Sequence, residues 1–334
     1  MTQPLRSEIV IDALKRFPDA PSLTLAKKIY KENKNIFKDV DSVRSIVRRF
    51  RGQKGANQRK ASPDKQHFKT RGKFNPFDKL PKGIKCMSEA KYYTIKGKKT
   101  LILSDAHIPY HEKEPLQIAL EYGRDAEVDT ILLNGDFWDC YMLSTFTKDI
   151  RKRSVAKELK TVHEILDIII DNFPNAKIIY KLGNHEDRWE NFLKVKAPEL
   201  LDLKISSYDE ILGTEYRNID IARKGTIMRI GALNIVHGHE FGRSVFSPVN
   251  AARGVFLRGH ECCLLGHYHQ SSNHTESSMN DNVVSCWSVG CLCDLRPEYK
   301  PINIKWQHGF AIVESLGGKE FAVSNKKIIK GKVY

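Results

Sequence analysis

Aspartate, asparagine and histidine recur at the ends of apolar runs in five places. "LILSDAH" supplies Asp105 and His107, "ILLNGDFWD" supplies Asp136, and "IIYKLGNHE" supplies Asn184 and His185. "LNIVHGHE" supplies His237, and "CLLGHYH" supplies His267 and His269. The side chains offer oxygen or imidazole nitrogen, and no cysteine is among these candidate ligands. That donor set suits divalent ions of intermediate hardness: Mn, Fe or Zn, with Ni and Co also accommodated. It is too large for one catalytic ion that must also hold water, and it fits two ions sharing a carboxylate. Residues two apart on a strand face the same side, so Asp105 and His107 are expected to converge on one ion, and His267 and His269 likewise. Gly135, Gly183 and Gly266 precede ligands and allow tight bends there. A lone "GD" or "HGH" is weak evidence; five such blocks in order are strong.

These groups need elements that hold them. "YYTI", "KGKK" and "TLILSDAH" read as a hairpin leading into a core strand. "EPLQIALEYGRDA" reads as a helix, "VDTILLNGDF" as a second buried strand, "SVAKELKTVHEILDIIIDNF" as a long amphipathic helix and "AKIIYKLGNHE" as a third strand. Strands alternating with helices argue for an α/β fold with a parallel sheet, whose functional groups sit past the carboxyl ends of the strands. "TIMRIGALNIVHGHE" gives a hairpin and a strand, "CCLLGHYHQ" one more, and the tail is strand-rich.

Several neighbours of the blocks have two readings each. His237 and His239 compete for one ligand position, and His237 is preferred because it directly follows the apolar run. His239 is then a candidate for the surroundings of the site or for substrate contact. Asp139 and Trp138 follow Asp136 and are expected to line a cleft, with packing equally open to Trp138. Arg188 could hold a phosphate or pair with an acid on its own helix. His163, on the amphipathic helix, reads as a core or surface residue. Cys291 and Cys293, in "CLC", could clip a metal but read more simply as strand residues.

The series "DAH", "GDFWD", "GNHED", "VHGHE" and "GHYH" resembles the calcineurin-like metallophosphoesterase superfamily over roughly residues 98–315. The resemblance implies a four-layer αββα sandwich. It also implies two divalent ions, with Mn the first choice: one on Asp105, His107 and His269, the other on Asn184, His237 and His267, with Asp136 bridging. His185 would be the non-ligand histidine that stabilises or protonates the leaving oxygen, and Glu186 would orient it. The implied reaction is hydrolysis of a phosphate ester by water whose pKa the ions lower towards ~7. Protein phosphatases of the superfamily carry "GDxVDRG" where this chain has "GDFWDCY". Its second and third blocks look instead like phage and bacterial phosphoesterases, often described as SbcD-type repair nucleases, a label that rests on fold analogy.

Charge narrows the substrate. Residues 1–100 hold 26 Lys+Arg against 9 Asp+Glu, a net of +17, while the other 29 basic and 31 acidic residues leave −2. A local basic excess favours a polyanion such as nucleic acid, with DNA the first choice. Residues 1–51 read as three short helices, the third carrying Arg44, Arg48, Arg49 and Arg51 off its apolar stripe. This resembles a helix-turn-helix unit. Ser22 is a candidate cap for the second helix, and Asp41 or Ser42 for the third. Residues 52–91 read as a basic, mobile linker, and 92–334 as the phosphoesterase domain. The expected activity is that of a nuclease or phosphodiesterase rather than a phosphomonoesterase. The alternative is a nucleic-acid-binding regulator whose phosphoesterase domain serves a small ester or is inactive. No apolar run approaches a membrane span, the start lacks a secretory pattern, and seven cysteines form no regular framework. A cytoplasmic site, in a bacterial or phage-infected cell, is the expectation.

Overall fold

The computed structural model describes residues 5–53, 80–84, 91–145, 154–242, 249–298, 302 and 305–334. The chain divides into two compact units, Met1–Lys85 and Cys86–Tyr334. The expected linker lies largely outside the described residues, over 54–79 and 85–90.

The first unit contains α1 (Arg6–Arg16), α2 (Ser22–Glu32) and α3 (Val40–Phe50). Their apolar stripes close on one core that includes Val10, Leu14, Leu25, Ile29, Val43 and Val47. The cap of α3 is Asp39, which accepts from the Ser42 N–H at 2.7 Å, rather than Asp41 or Ser42 themselves. Ser22 is the first residue of α2 and not its cap. Arg51 is a further correction. It is 2 % exposed, and its guanidinium donates to the carbonyls of Ala20 (2.7 Å) and Pro18 (3.0 Å) and to Ser22 Oγ (3.0 Å). Lying past the last turn of α3, it turns inward and ties that turn to the α1–α2 connection, so it is not free to meet a polyanion. Arg44 is half-buried, while Arg48 and Arg49 are exposed.

The second unit begins with β1 (Lys91–Thr94), β2 (Lys99–Leu103), α4 (Lys113–Asp125), β3 (Thr130–Asn134), α5 (Val155–Asn172), β4 (Lys177–Lys181), α6 (Asp187–Lys196) and β5 (Ile219–Ala222). It continues with β6 (Thr226–Ile230), β7 (Leu233–Ile235), α7 (Ala251–Gly259), β8 (Cys263–Leu265), β9 (Ser272–Ser277), β10 (Val283–Ser288), β11 (His308–Gly317), β12 (Glu320–Ile329) and β13 (Lys332–Val333). A seven-stranded sheet has the order β13-β12-β11-β2-β3-β4-β5, and its strands β2 to β5 are parallel. A six-stranded sheet has the order β1-β6-β7-β8-β10-β9.

The two-residue period of the strands explains the layering. Leu101, Leu103, Ile131, Leu133, Ile178 and Tyr180 face outward onto Leu116 and Ala119 of α4 and Val162, Leu166 and Ile169 of α5. The alternate residues Ile102, Leu132 and Ile179 face inward onto Met228, Ile230, Leu233, Ile235 and Leu264 of the other sheet. Beyond that sheet, Cys263, Leu265 and Cys286 pack on Ala252 and Val255 of α7. The result is the αββα sandwich, and β2 to β4 are apolar on both sides because both faces are covered.

The expected hairpin of β1 and β2 does not form. β1 pairs in parallel with β6, Lys91 opposite Thr226, while β2 enters the other sheet between β11 and β3. β2 is buried in the middle of the seven-stranded sheet, whereas β1, with Tyr92 52 % exposed, lies at the edge of the other. Among the described residues, no helix is long and apolar enough to cross a membrane.

Replacing Arg51 by alanine should strand the carbonyls of Pro18 and Ala20 and destabilise the helical unit by about 2–4 kcal/mol. Arg48→Ala should cost less than about 0.5 kcal/mol. Amide hydrogen exchange through α1–α3 in the full chain distinguishes the two, and equal protection in both variants would contradict the buried role.

Candidate metal centre

The carboxyl ends of β2, β3, β4, β7 and β8 meet at one edge of the sandwich, and the backbone there is unusual. Asp105, His107, Asp136, His267 and His269 have φ of 56°, 49°, 52°, 65° and 58°. Left-handed backbone is uncommon without glycine, and it clusters at sites where surrounding structure enforces it. β2 ends at Leu103 and β8 at Leu265, so Asp105/His107 and His267/His269 lie past their strands. Left-handed turns, not the strand repeat expected from spacing, bring Asp105 and His107 into one cluster, whereas His267 and His269, expected to share one ion, fall into different clusters. The turns are stitched together: His107 N–H donates to the Asp136 carbonyl at 2.9 Å, and His267 N–H to Asp105 Oδ2 at 2.8 Å. Gly135 has φ +84° and needs glycine on that ground. Gly266 is needed for space, since a Cβ there would strike Ser104 and Asp105.

The predicted ligands fall into two groups. In the first, His269 Nε2 lies 3.2 Å from Asp105 Oδ1 and 3.2 Å from His107 Nε2, which is 3.9 Å from Asp136 Oδ2. In the second, His237 Nε2 lies 3.2 Å from Asp136 Oδ2, and His267 belongs to the same cluster. Asp136 is common to both. Ligand atoms at such spacings can each reach one ion through bonds of about 2.0–2.2 Å.

Buried polar atoms without partners show that the residues fit cations. Asp105 Oδ1, Asn184 Oδ1, His237 Nε2 and His267 Nδ1 are enclosed and have no hydrogen-bond partner among the described residues. Such atoms are rare in folded chains. The far sides of two rings are tied down. His237 Nδ1–H donates to the Asn134 carbonyl at 2.8 Å, and His107 Nδ1–H to Asp139 Oδ2 at 2.9 Å. Each tie fixes the tautomer that turns a lone pair at Nε2 towards the cluster. The second nitrogen of His269 faces Cys293 Sγ at 3.7 Å, and the Trp306 ring packs 4.1 Å from the His269 ring. Cys293 thus sits against the cluster, more than a plain strand residue.

Electrostatics point the same way. Burial opposes ionisation of Asp105, Asp136 and Asp139, yet the histidines around them outweigh it and hold all three below the usual carboxylate range. Burial likewise opposes a proton on His237, but Asp136 and Asp105 raise its pKa to about 10. Burial, and then the charge on His237, lower His267 to about 4. The carboxylates therefore demand positive charge, which a proton on His237 supplies when no ion does.

The surrounding residues bring two corrections. Glu186 does not orient His185. Its carboxylate accepts from the N–H groups of Asp136 (3.0 Å), Phe137 (2.8 Å), Trp138 (2.9 Å) and Gly183 (2.9 Å) and from Tyr180 Oη (2.9 Å). Asp139 is 7 % exposed and holds histidines rather than substrate: His107 as above, and His185 Nδ1 at 3.2 Å from its Oδ2. His185 also donates Nδ1–H to the Asp139 carbonyl at 2.9 Å, and its N–H to Asp136 Oδ1 at 2.8 Å. His239 belongs to neither group: its ring is 5.4 Å from that of His237, and its Nε2 is 3.9 Å from Asp187 Oδ2. Trp138 is fully buried and packs near Trp189. His163 donates to the Ile211 carbonyl, away from the cluster. Sequence reasoning missed Asn134 and Ser104 (whose hydroxyl donates to Asp105 Oδ2 at 2.7 Å), although each directly adjoins a metal-ligand block.

No protein-family model matches the chain. The Gene 54 protein of Mycobacterium phage L5 is 25 % identical over 229 residues, 65 % of this chain and 89 % of that protein. A Vps29 from Entamoeba histolytica aligns with a TM-score of 0.35 at 13 % identity, covering 71 % of this chain and 96 % of that chain. A dimetal phosphatase from Danio rerio aligns at 0.34 and 12 %, covering 68 % and 95 %. The phosphoesterase Yfce from E. coli aligns at 0.33 and 14 %, covering 68 % and 98 %. Superpositions this loose add nothing to what the ligand geometry shows.

Because His237 carries a proton below about pH 10 without an ion, a cation must displace it. Mn²⁺ affinity should therefore rise from pH 6 to pH 8, by up to about tenfold per pH unit for each proton released. Calorimetric titration in buffers of different ionisation enthalpy reads that proton directly. Affinity independent of both pH and buffer would contradict the assignment.

Proposed function

We propose that this chain is a two-metal phosphoester hydrolase acting on nucleic acid, as a nuclease or phosphodiesterase. The observation that carries the reading is Asp136, whose carboxylate is common to two clusters of ligand residues in which four buried polar atoms have no hydrogen-bond partner among the described residues. Asp105, His107, Asp136 and His269 would hold one ion, and Asp136, Asn184, His237 and His267 the other. Bound there, two divalent ions supply Lewis acidity towards the phosphoryl oxygens and lower the pKa of attacking water. The oxygen and nitrogen donors favour Mn²⁺, with Fe, Zn, Ni or Co as alternatives.

The chain's own groups do the rest. Asp139 fixes the rings of His107 and His185 from behind. His185, held through its Nδ1 and its backbone N–H, is the group placed to stabilise or protonate the leaving oxygen. The αββα edge keeps the ligands on rigid strand ends. Nucleic acid as substrate is supported by the basic excess in residues 1–100 and by the exposed Arg48 and Arg49 on α3, with Arg44 as a further contact. In this reading residues 1–51 form a DNA-binding unit that delivers the polymer, contacting phosphates without reading sequence. Free thiols at all described cysteines agree with a cytoplasmic setting. A second reading, a nucleic-acid-binding regulator whose hydrolase takes a small ester, rests on the same basic unit.

With Mn²⁺, the full chain should cleave bis-p-nitrophenyl phosphate and labelled DNA, and Asp136→Asn should cleave neither. His185→Ala should lose about 10²–10⁴-fold in turnover with its metal content unchanged. Deleting residues 1–85 should raise KM for DNA and spare the small diester. Equal loss on both substrates would sink the delivery role, and cleavage of the small ester alone would favour the second reading.

A further inference from the structure

Arg188 lies in the first turn of α6, three residues after His185. Its Nη1 donates to the Asp139 carbonyl at 3.0 Å, and its Nη2 donates to His185 Nε2 at 3.0 Å. Among the described residues the nearest carboxylate oxygen, Asp139 Oδ1, is 3.8 Å away, beyond hydrogen-bond distance. That carboxylate is already engaged by His107 and His185. The Arg188 side chain is 20 % exposed, so a permanent cation is largely enclosed with no hydrogen-bonded anion among the described residues. Enclosed charges are normally paired, because desolvation is otherwise uncompensated. Three other charged residues of α6 are paired: Asp187 meets Lys224 at 2.6 Å, and Glu190 meets Lys194.

The partners Arg188 does have are a carbonyl oxygen and an imidazole nitrogen, and that imidazole belongs to the histidine placed for the leaving oxygen. A guanidinium offers planar, forked donors suited to two oxygens of one phosphoryl group. With two divalent ions in place, the positive charge of the ions and Arg188 outweighs the carboxylates of Asp105, Asp136 and Asp139. The occupied centre then carries surplus positive charge towards an anion, and Arg188, bonded to His185, adds a cation beside it.

We infer that Arg188 binds the phosphoryl oxygens of the substrate, exchanging its hydrogen bond to His185 Nε2 for one to the ester. The inference rests on the phosphoester reading and adds a specificity determinant to it: the substrate must present an anionic phosphoryl group beside His185. On this exchange His185 Nε2 is left facing the same group, so substrate binding and the availability of that nitrogen are linked. A purely structural role, clamping the Asp139 loop to α6, would make no such exchange.

Arg188→Ala, Arg188→Lys and the wild type, each as the full chain loaded with Mn²⁺, separate the two roles. In Arg188→Ala the KM for bis-p-nitrophenyl phosphate and the inhibition constant of inorganic phosphate should both rise about tenfold or more. Metal content and melting temperature should stay at wild-type values, Arg188→Lys should recover part of the loss, and added guanidinium should partly rescue the alanine variant alone. Unchanged phosphate affinity in Arg188→Ala, or loss of metal with KM intact, would overturn the inference. If the wild type cleaves no ester, the hydrolase reading falls, but calorimetric titration with inorganic phosphate still decides the role of Arg188. Weaker phosphate binding in the alanine variant would support it, and equal binding would overturn it.

Discussion

The Glu186 carboxylate gathers donors from two strand ends, and the cluster depends on that gathering. Oε2 takes the N–H groups of Asp136 and Gly183, and Oε1 those of Phe137 and Trp138 together with the Tyr180 hydroxyl. Three successive N–H groups after β3 thus turn towards one anion, a concavity that backbone adopts around negative charge. Burial and the neighbouring Asp136 push the Glu186 carboxyl upward. Four of its five partners, however, are backbone N–H groups that can only donate, so the cradle fits the ionised form. By holding the residues after β3 and before α6 in one grip, Glu186 fixes Asp136 and the Gly183–Asn184 turn relative to each other.

The remaining geometry follows from where the sheets end. β2, β3 and β4 belong to one sheet and β7 and β8 to the other, and a shared apolar interior holds the two face to face. Ligands from both sheets therefore meet across the seam of the sandwich rather than along one strand edge. Asp105 shows the seam directly, since its Oδ2 takes the His267 N–H from the opposite sheet while its Oδ1 has no hydrogen-bond partner among the described residues. The left-handed backbone at five cluster residues is strain that this packing sustains, and cations binding the carboxylates would help to offset it.

Much of this was legible in sequence. The buried strands stand out as apolar runs because both faces are covered, and the cluster residues stand out because polar side chains follow them at once. What could not be read depends on contacts between distant segments. The pleat predicts the right convergence of Asp105 with His107 for the wrong reason, because the strand stops at Leu103 before either residue. Glu186 adjoins His185 in sequence, yet its side chain points back to the β3 turn. Asp139 looked like a cleft residue, and its orienting role shows only once His107 and His185 are both beside it. Arg51 shares the composition of Arg48 and Arg49, and only the docking of α3 on the α1–α2 connection turns it inward. The β1–β2 hairpin failed for a related reason: sequence adjacency says nothing about which sheet a strand joins.

In the proposed centre Asp136 would join two ions. Electron paramagnetic resonance of the chain saturated with Mn²⁺ addresses it without relying on turnover. Two ions about 3.5–4 Å apart across a shared carboxylate should give the broadened, exchange-coupled spectrum of a manganese pair. Asp136→Asn should abolish that coupling. A spectrum of isolated Mn²⁺ at full saturation of the wild type would show that the two ligand groups do not form one centre.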